Sequence, residues 1–386
     1  MLAVQKLMLI CFLFVFLSSP GWGGVGSQLS DLGIDVSLVV KEEINKTLSG
    51  GVKKETVYLD NIDLKFAFDG DKLAGLKGSS AFLYILADHG GDPSTNVGDE
   101  QGTSNIETNA DTARIYELWV QQLLLEDKVS VLFGVHDLNS EFYVTDTSGL
   151  FFNSSFGVGR ELSQTGVNGP SIFPITAPAV RLRVDPTKSF YLQVGVFNGQ
   201  SGDLNDPKGT HFRFNRDDGR LLISEAAYLR EKGKYAIGTW AYTATFEHLT
   251  LAPERATSYG TYFLADQEVA KDISAFLRYG VASAEVNSVH SNLGAGVVFT
   301  GLLPSRESDR FGLALTKVTA GDEIRQAQEA AGEPIEKAET TFEANYRIEL
   351  CSSFVIQPDL QYVTNPGLNP ALDNAWVAAT RLEFNF

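Results

Sequence analysis

The sequence predicts an all-β protein, a transmembrane antiparallel β-barrel of about sixteen strands with short turns at one end and long loops at the other. Three observations predict this class. Segments of alternating apolar and polar residues recur along the chain, and several reach about ten residues, the length that a tilted strand needs to cross a bilayer. The connections between them alternate between short and long. The final segment alternates up to Phe386.

The first residues have the pattern of a secretory signal peptide. Lys6 precedes an apolar run over residues 7–17, and small residues follow Pro20. The run is too short for a spanning helix. We therefore expect residues 1–25 to be cleaved, at a bond between Gly21 and Ser27, and residues 26–386 to form one barrel domain. A buried amino-terminal helix is the alternative.

Composition excludes several classes. A net charge of -17 disfavours nucleic-acid binding and long-range selectivity for anions. No later segment is an unbroken apolar run of about eighteen residues, so a helical inner-membrane protein is excluded. Of the two cysteines, Cys11 lies in the predicted signal peptide and Cys351 remains alone, so no intramolecular disulfide is expected.

The strands follow from alternation and from the turn residues between them. They are predicted over residues 33–41, 56–68, 79–87, 113–124, 128–136, 179–184, 190–197, 221–230, 235–246, 258–267, 273–284, 292–301, 310–319, 338–350, 354–363 and 375–386. In the last strand, the outward positions are Trp376, Ala378, Thr380, Leu382, Phe384 and Phe386. A soluble β-sandwich would show similar strands but would require neither the loop pattern nor the terminal Phe.

The connections distinguish the two ends of the predicted barrel. Those after even-numbered strands are short, and residues 185–188 (Asp-Pro-Thr-Lys) are typical of a type I turn. The long polar connections are residues 88–112, 137–178, 198–220 and 320–337. Short turns face the periplasm in outer-membrane barrels, so we expect both termini there and the long loops outside. A helix-like window over 326–331 lies in one loop.

The longest connection, residues 137–178, is unusually apolar for an exposed loop. It contains Phe142, Tyr143, Leu150, Phe151, Phe152, Phe156 and Phe173. Because such a surface is unfavourable in water, we expect the loop to fold into the barrel mouth and narrow it. This would place its polar residues near the barrel wall: Glu141, Asp146, Asn153 and Arg160 near Arg181, Arg183 and Glu117. An external cap or a subunit interface are the alternatives.

Several segments resemble the carbohydrate-selective porin family, OprB. They are RIYELWVQQ (114–122), EFYVTDTSGLFFNSSFG (141–157), PAVRLRVDP (178–186), VGVFNG (194–199), YGTYFLADQEV (259–269), GLLPSRESD (301–309) and the strands after residue 338. Their order covers most of the mature chain, while the part before about residue 111 is less recognisable. The resemblance implies a water-filled outer-membrane barrel through which sugars diffuse, without a cofactor. Nothing indicates which sugar.

Sugar binding needs flat aromatic faces and paired hydrogen-bonding groups, which inward strand positions would supply. The candidates are Glu117, Trp119 and Gln121 on the fourth strand, Arg181 and Arg183 on the sixth, Glu225 on the eighth and Arg278 on the eleventh. Tyr116, Leu118 and Val120 have the opposite parity. For each candidate, a structural salt bridge within the barrel is the alternative to solute contact.

No motif indicates catalysis. The five histidines lack metal-ligand spacing, and neither a Gly-x-Ser-x-Gly elbow nor a phosphate-binding loop is present. The acidic residues in 88–103 lack the order of a calcium loop, so we expect a solvated loop and no metal. Rival functions are a general or ion-selective porin, an outer-membrane enzyme and an adhesin.

The expected partners are transported sugars and the lipid and lipopolysaccharide of the outer membrane. By resemblance, the assembly machinery would recognise Trp376, Phe384 and Phe386. A homo-oligomer is left open, and no nucleic-acid partner is expected.

Overall fold

A computed structural model describes residues 20–108 and 110–386. Sixteen antiparallel strands form one closed barrel in which β1 pairs with β16. The strands are β1 (Ile34–Ser49), β2 (Thr56–Asp69), β3 (Ser79–Gly90), β4 (Thr112–Leu124), β5 (Val129–His136), β6 (Ala177–Thr187), β7 (Phe190–Asn198), β8 (Arg220–Arg230), β9 (Gly233–Glu247), β10 (Arg255–Ala270), β11 (Ile273–Ala282), β12 (Val289–Thr300), β13 (Arg310–Ala320), β14 (Ala338–Cys351), β15 (Phe354–Thr364) and β16 (Ala375–Asn385).

Within residues 20–108 and 110–386, the helices lie in the connections and in the segment before β1. They are α1 (Pro20–Asp31), α2 (Gly70–Ala74), α3 (Ser94–Val97), α4 (Arg160–Ser163) and α5 (Asp322–Ala331), with single 3-10 turns at Leu138–Ser140, Thr147–Leu150, Ser154–Phe156, Arg216–Asp218 and Pro366–Leu368. The predicted window 326–331 lies in α5, which begins earlier because Asp322 and Glu323 favour a helix amino terminus. No described helix combines the length and apolar character needed to span a bilayer.

All sixteen predicted strands are present. Several run further than their alternation suggested, as in β1, which continues to Ser49. The predicted turn over residues 185–188 is wrong in detail: β6 continues to Thr187, with an irregular register after Val184 and a pair between Thr187 and Phe190. The predicted signal peptide lies mostly outside the described residues, and α1 covers the predicted cleavage zone. Cleavage therefore stays a prediction.

Most strand faces follow the alternation, and β4 is a clear departure from it. Outward side chains such as Phe133 (64% exposed) and Trp376 (43%) contrast with buried inward polar residues such as Glu343. Tyr116, predicted to face outward, is buried with Glu117 on the inner face. The β3–β4 register shifts between Tyr84 and Ile85, so a β-bulge turns two consecutive β4 side chains inward.

The connections sort by length between the two barrel ends as predicted. The four longest are residues 91–111, 137–176, 199–219 and 321–337, and all follow odd-numbered strands. The connections 188–189, 231–232, 271–272 and 352–353 at the other end hold two residues each. We call residues 137–176 the constriction loop.

Candidate functional site

The constriction loop lies inside the barrel and covers part of its wall. Phe142, Phe151, Phe152 and Phe156 are buried, as expected from their apolar character. Two clusters hold the loop. The first joins loop residues such as Phe142 and Tyr143 to β7–β10, and the second joins Leu150, Phe151 and Phe156 to β11 and β12. Phe173 is half-buried and its ring lies 6.5 Å from that of Tyr116.

Wall carboxylates and amides fix the loop backbone. The loop's N–H groups donate to side chains on four strands: Tyr143 N to Glu225 on β8 (3.0 Å), Thr147 N to Asp266 on β10 (2.8 Å), Arg160 N to Asn292 on β12 (2.9 Å), and Phe152 N and Asn153 N to Glu343 on β14 (2.6 and 3.0 Å). On β11, the Arg278 guanidinium donates to the carbonyls of Phe156 and of Gly157 (2.7 Å). The loop is therefore held at its backbone as well as at its aromatic side chains.

Glycines on the wall make room for this packing. A Cβ atom at Gly280 on β11 would lie 1.8 Å from Oε1 of Glu161, and one at Gly312 on β13 would lie 2.8 Å from Leu150 and Phe151. Side chains at either position would push the loop away from the wall.

Glu225 and Arg278, predicted as pore-lining residues, lie beneath the loop. Glu225 accepts from the hydroxyls of Tyr191 (2.5 Å) and Tyr262 (2.7 Å) and pairs with Lys234 (3.1 Å). Arg278 lies 4.6 Å from the Tyr143 ring centroid. Both residues are 2% exposed and contact the loop. Their contacts therefore fit a structural role within the barrel, the alternative to solute contact.

The open channel lies on the other side of the lumen. It is a cavity of about 860 Å³ between β1–β4, β14–β16 and the inner surfaces of the loops. Its lining includes five basic residues, Lys41, Lys65, Arg160, Arg347 and Arg381, and five acidic ones, Asp63, Glu107, Glu117, Asp137 and Glu383. The lining is thus formally neutral, although the chain carries a net charge of -17.

Several lining charges face each other in pairs. Lys41 lies 2.9 Å from Asp63, and Arg347 lies 2.7 Å from Glu383. Arg381 lies 2.6 Å from Glu43 and also donates to Asn105 of the loop 91–111 (2.8 Å). Paired charges offer donors and acceptors at short range while contributing little field at long range.

A buried ionic chain joins the channel wall to the start of the constriction loop. The His136 ring lies 2.9 Å from Glu117 through Nδ1 and 3.1 Å from Glu141 through Nε2. Ionised carboxylates only accept hydrogen bonds, so both ring nitrogens donate and the ring is an imidazolium. Arg181 donates to both Glu141 oxygens (2.6 and 2.7 Å).

The same contacts set the charge state of Glu141. Burial alone would raise the pKa of Glu141, but hydrogen bonds from His136 and Arg181 outweigh it and lower the pKa to about 2. Next to it, burial and the charge of Glu117 raise the pKa of Asp137 to about 7.

Of the predicted pore residues, Glu117 and Arg160 line the channel. Trp119 and Gln121 do not line the channel but contact other side chains of the inner wall. Trp119 stacks on Phe82, with ring centroids 5.1 Å apart, and Gln121 accepts from Arg181 (2.7 Å). The structure brings Glu141 beside Arg181 and, through His136, close to Glu117.

The expected grouping around Arg181 and Arg183 is otherwise wrong. Asp146 is exposed, while Asn153 is buried beside Glu343 and the backbone of Arg160 binds Asn292. Arg183 pairs with Asp185 (2.8 Å) near the short-turn end. The loop runs across the lumen, so its polar residues meet strands far from β6 in sequence.

The sequence analysis did not identify Lys65, Phe82 and Tyr84 as residues of the channel wall. It also did not predict that the loop 91–111 contacts the constriction loop. That loop joins the constriction loop through Asn105 N to Phe152 O (2.7 Å) and Ser154 N to Gly102 O (2.9 Å). Inward parity on β2 and β3 would have identified the wall residues. The loop contact gives no periodic signal.

The described residues were also compared with the requirements of a metal-binding site. No cluster of three or more His, Cys, Asp or Glu arranged for a metal ion occurs within residues 20–108 and 110–386. Cys351 is exposed.

Comparison with known proteins agrees with this architecture. The family described as "Carbohydrate-selective porin, OprB family" matches residues 53–386. The chain belongs to this family. It is therefore an outer-membrane porin for carbohydrates. It is similar to Porin B of Pseudomonas aeruginosa, 23% identical over 95% of this chain and 90% of that protein, and to the putative porin QuiX of Acinetobacter baylyi, 20% identical over 95% and 92%.

A solved structure shows the same fold. The high-pH structure of Pseudomonas putida OprB superposes with a TM-score of 0.85 at 22% identity, covering 95% of this chain and 97% of that one. With the location established, the long-loop end faces outward and the short-turn end faces the periplasm.

Proposed function

We propose that sugars cross this OprB-family porin through the channel between β1–β4 and β14–β16. The observation that carries the proposal is the lining, in which five basic and five acidic side chains lie beside aromatic rings. Sugar hydroxyls both donate and accept, so paired groups such as Arg347 and Glu383 match them. We infer passive diffusion and no catalytic role.

An ion-selective porin is the second candidate, and the lining argues against it. Ion selectivity is built from rings of one charge sign. Here Asp63 and Glu383 each have a cation within 3 Å. Neutral polar solutes gain hydrogen bonds from such pairs. A passing ion meets both charge signs at the same level of the channel.

Within this proposal, the predicted residues have two roles. Glu117 and Arg160 contact solute because they line the channel. The remaining residues position the wall and the loop, apart from the exposed Asp146, which has neither role: Trp119, Gln121, Glu141, Asn153, Arg181, Arg183, Glu225 and Arg278.

Planar-bilayer recording with sugars as blockers tests the channel path. The change is Arg347→Ala, which removes one half of a lining pair. We expect weaker sugar block, by about threefold to tenfold for one lost charge-assisted hydrogen bond, and a shift toward cation selectivity. Asp146→Ala, at an exposed loop position, is the control and should leave block unchanged. Unaltered block in the Arg347 variant would place the sugar path elsewhere.

We further propose that β16 carries the signal for membrane insertion. Phe384 stacks on Phe354 with centroids 4.9 Å apart, Trp376 lies 4.7 Å from Tyr362, and Phe386 exchanges backbone hydrogen bonds with Leu38. Deleting Phe386 should lower the heat-modifiable, membrane-inserted fraction without reducing export. Equal insertion of the truncated and full chains would contradict this role.

A further inference from the structure

We propose that Phe82 and Lys65 form a subsite that binds the ring face of a pyranose. The proposal rests on the sugar path proposed above and deepens it, since it names the ring form of the sugar and the wall that holds it. It concerns the β2–β4 side of the channel.

Phe82 is a rigid aromatic surface on the channel wall. The ring lines the channel and is half-buried. Trp119 stacks on it at 5.1 Å with an interplanar angle of 26°, and Tyr84 packs its edge at 6.4 Å and 74°. With one face held by Trp119, the other face is left for the channel. Such a ring loses little entropy when a ligand stacks on it.

Lys65 supplies a donor next to this ring. Its Nζ lies 4.5 Å from the Tyr84 centroid, and Lys65 pairs with Tyr84 across β2 and β3, so it is a diagonal neighbour of Phe82. No ion pair of Lys65 occurs within the described part of the chain. Its ammonium lies against the Tyr84 ring, leaving N–H groups that can donate to a ligand hydroxyl.

The neighbouring charges favour a neutral ligand. Asp63, two residues before Lys65 on the same inner face, accepts from Tyr84 (2.5 Å) and pairs with Lys41 (2.9 Å). A flat apolar face beside a donor and an acceptor matches a pyranose with equatorial hydroxyls, whose C–H bonds point from the ring face and whose hydroxyls point from its rim. Open-chain polyols have the hydroxyls without the face.

The test compares D-glucose with sorbitol in planar-bilayer recordings of the full chain. We expect glucose to block more strongly than sorbitol. Phe82→Leu keeps an apolar side chain but removes the π face, and should weaken glucose block by about threefold to tenfold while leaving sorbitol unchanged. Phe66→Leu, on the outer face of β2, is the matched control, and heat modifiability checks folding. Lys65→Met should weaken block by both solutes.

Trp119 emission gives a second readout. Glucose should change the fluorescence of the wild type but not of Phe82→Leu, and Trp119→Phe should remove the response. Equal glucose block in the wild type and in Phe82→Leu, with sugar flux intact in liposome swelling, would overturn the subsite and leave the porin path standing. Absence of sugar flux in the wild type would instead overturn the path. Stronger block by gluconate than by glucose would show that charge, and not the ring face, governs the site.

Discussion

The two sides of the lumen use the same kinds of inward residue for different purposes. On the filled side, β8–β13, carboxylates and an arginine bind the backbone of the constriction loop, as Glu225 and Arg278 do. On the open side, β1–β4 with β14–β16, they pair with one another, as Lys41 does with Asp63. An inward charge in a barrel therefore indicates solute contact only where no loop covers it.

The difference originates in the loops. The constriction loop brings aromatic side chains and unpaired backbone N–H groups, and both must be satisfied once it leaves water. Glycines such as Gly280 and Gly312 shape the filled side to receive it. The open side contacts the loops at separate points, such as Arg381 to Asn105 and Gln357 to the carbonyl of Leu150. Loop composition thus determines which side of the lumen stays open.

Removing part of the constriction loop should open the filled side of the lumen as well, and the resulting rise in conductance is the largest effect we expect. Shortening the chain by replacing residues 148–169 with a short Gly-Ser linker deletes the Phe151 and Phe156 anchors and opens the filled side. Single-channel conductance should rise by about twofold or more, because the loop occupies a large part of the lumen, and sugar block should weaken. Unchanged conductance in an assembled barrel would show that the constriction lies elsewhere.

Arg278→Ala on the filled side should lower the stability of the protein more than Arg347→Ala on the open side. Arg278→Ala leaves the carbonyls of Phe156 and Gly157 without their donor and removes a cation from the Tyr143 ring. A buried acceptor left without its donor costs about 1–3 kcal/mol. We expect a lower unfolding temperature in heat-modifiability gels and noisy, flickering channels. A quiet channel of wild-type stability would show that Arg278 does not fix the loop.

The two sides also show what a sequence can reveal. Alternation predicted the strands, and aromatic content predicted that residues 137–178 enter the barrel. The partners inside could not be predicted, because Asn153 meets Glu343 across 190 residues of chain and no periodicity encodes that contact. The bulge at Tyr116 left the alternation of β4 intact on either side and so hid the change of face.

The filled side should respond to pH through Glu161. Burial raises the pKa of Glu161 to about 7, although a hydrogen bond from Tyr143 (2.8 Å) and the charge of Arg278 oppose the rise. Because the folded pKa lies above the ordinary value, the stabilising proton is fully bound below about pH 4.5 and is lost as the pH rises through about 7.

We therefore expect loop-dependent channel noise to increase from pH 5 to 8. Glu161→Gln should abolish this change and keep the channel quiet at pH 8. Recordings across that range in both proteins provide the measurement. Glu107→Gln in the loop 91–111 is the control for removing a half-buried carboxyl elsewhere, and an identical loss of pH dependence there would show that the effect is not specific to Glu161.

The smallest effect should come from Arg183, and it separates two arginines on one strand. Arg181, 1% exposed, donates to Glu141, Gln121 and Ser130. Arg183 pairs with Asp185 (2.8 Å), with both side chains about a third exposed, and lies 3.9 Å from the Tyr191 ring centroid. An exposed pair of this kind contributes about 0–1 kcal/mol. Arg183→Ala should therefore leave the unfolding temperature nearly unchanged and shift ion selectivity slightly toward cations, since one positive charge leaves the periplasmic mouth.

Arg181→Ala should instead lower stability and release Glu141 from the wall. Reversal-potential measurements in a salt gradient, paired with heat-modifiability gels, check both variants, and equal losses of stability would show that burial does not distinguish them.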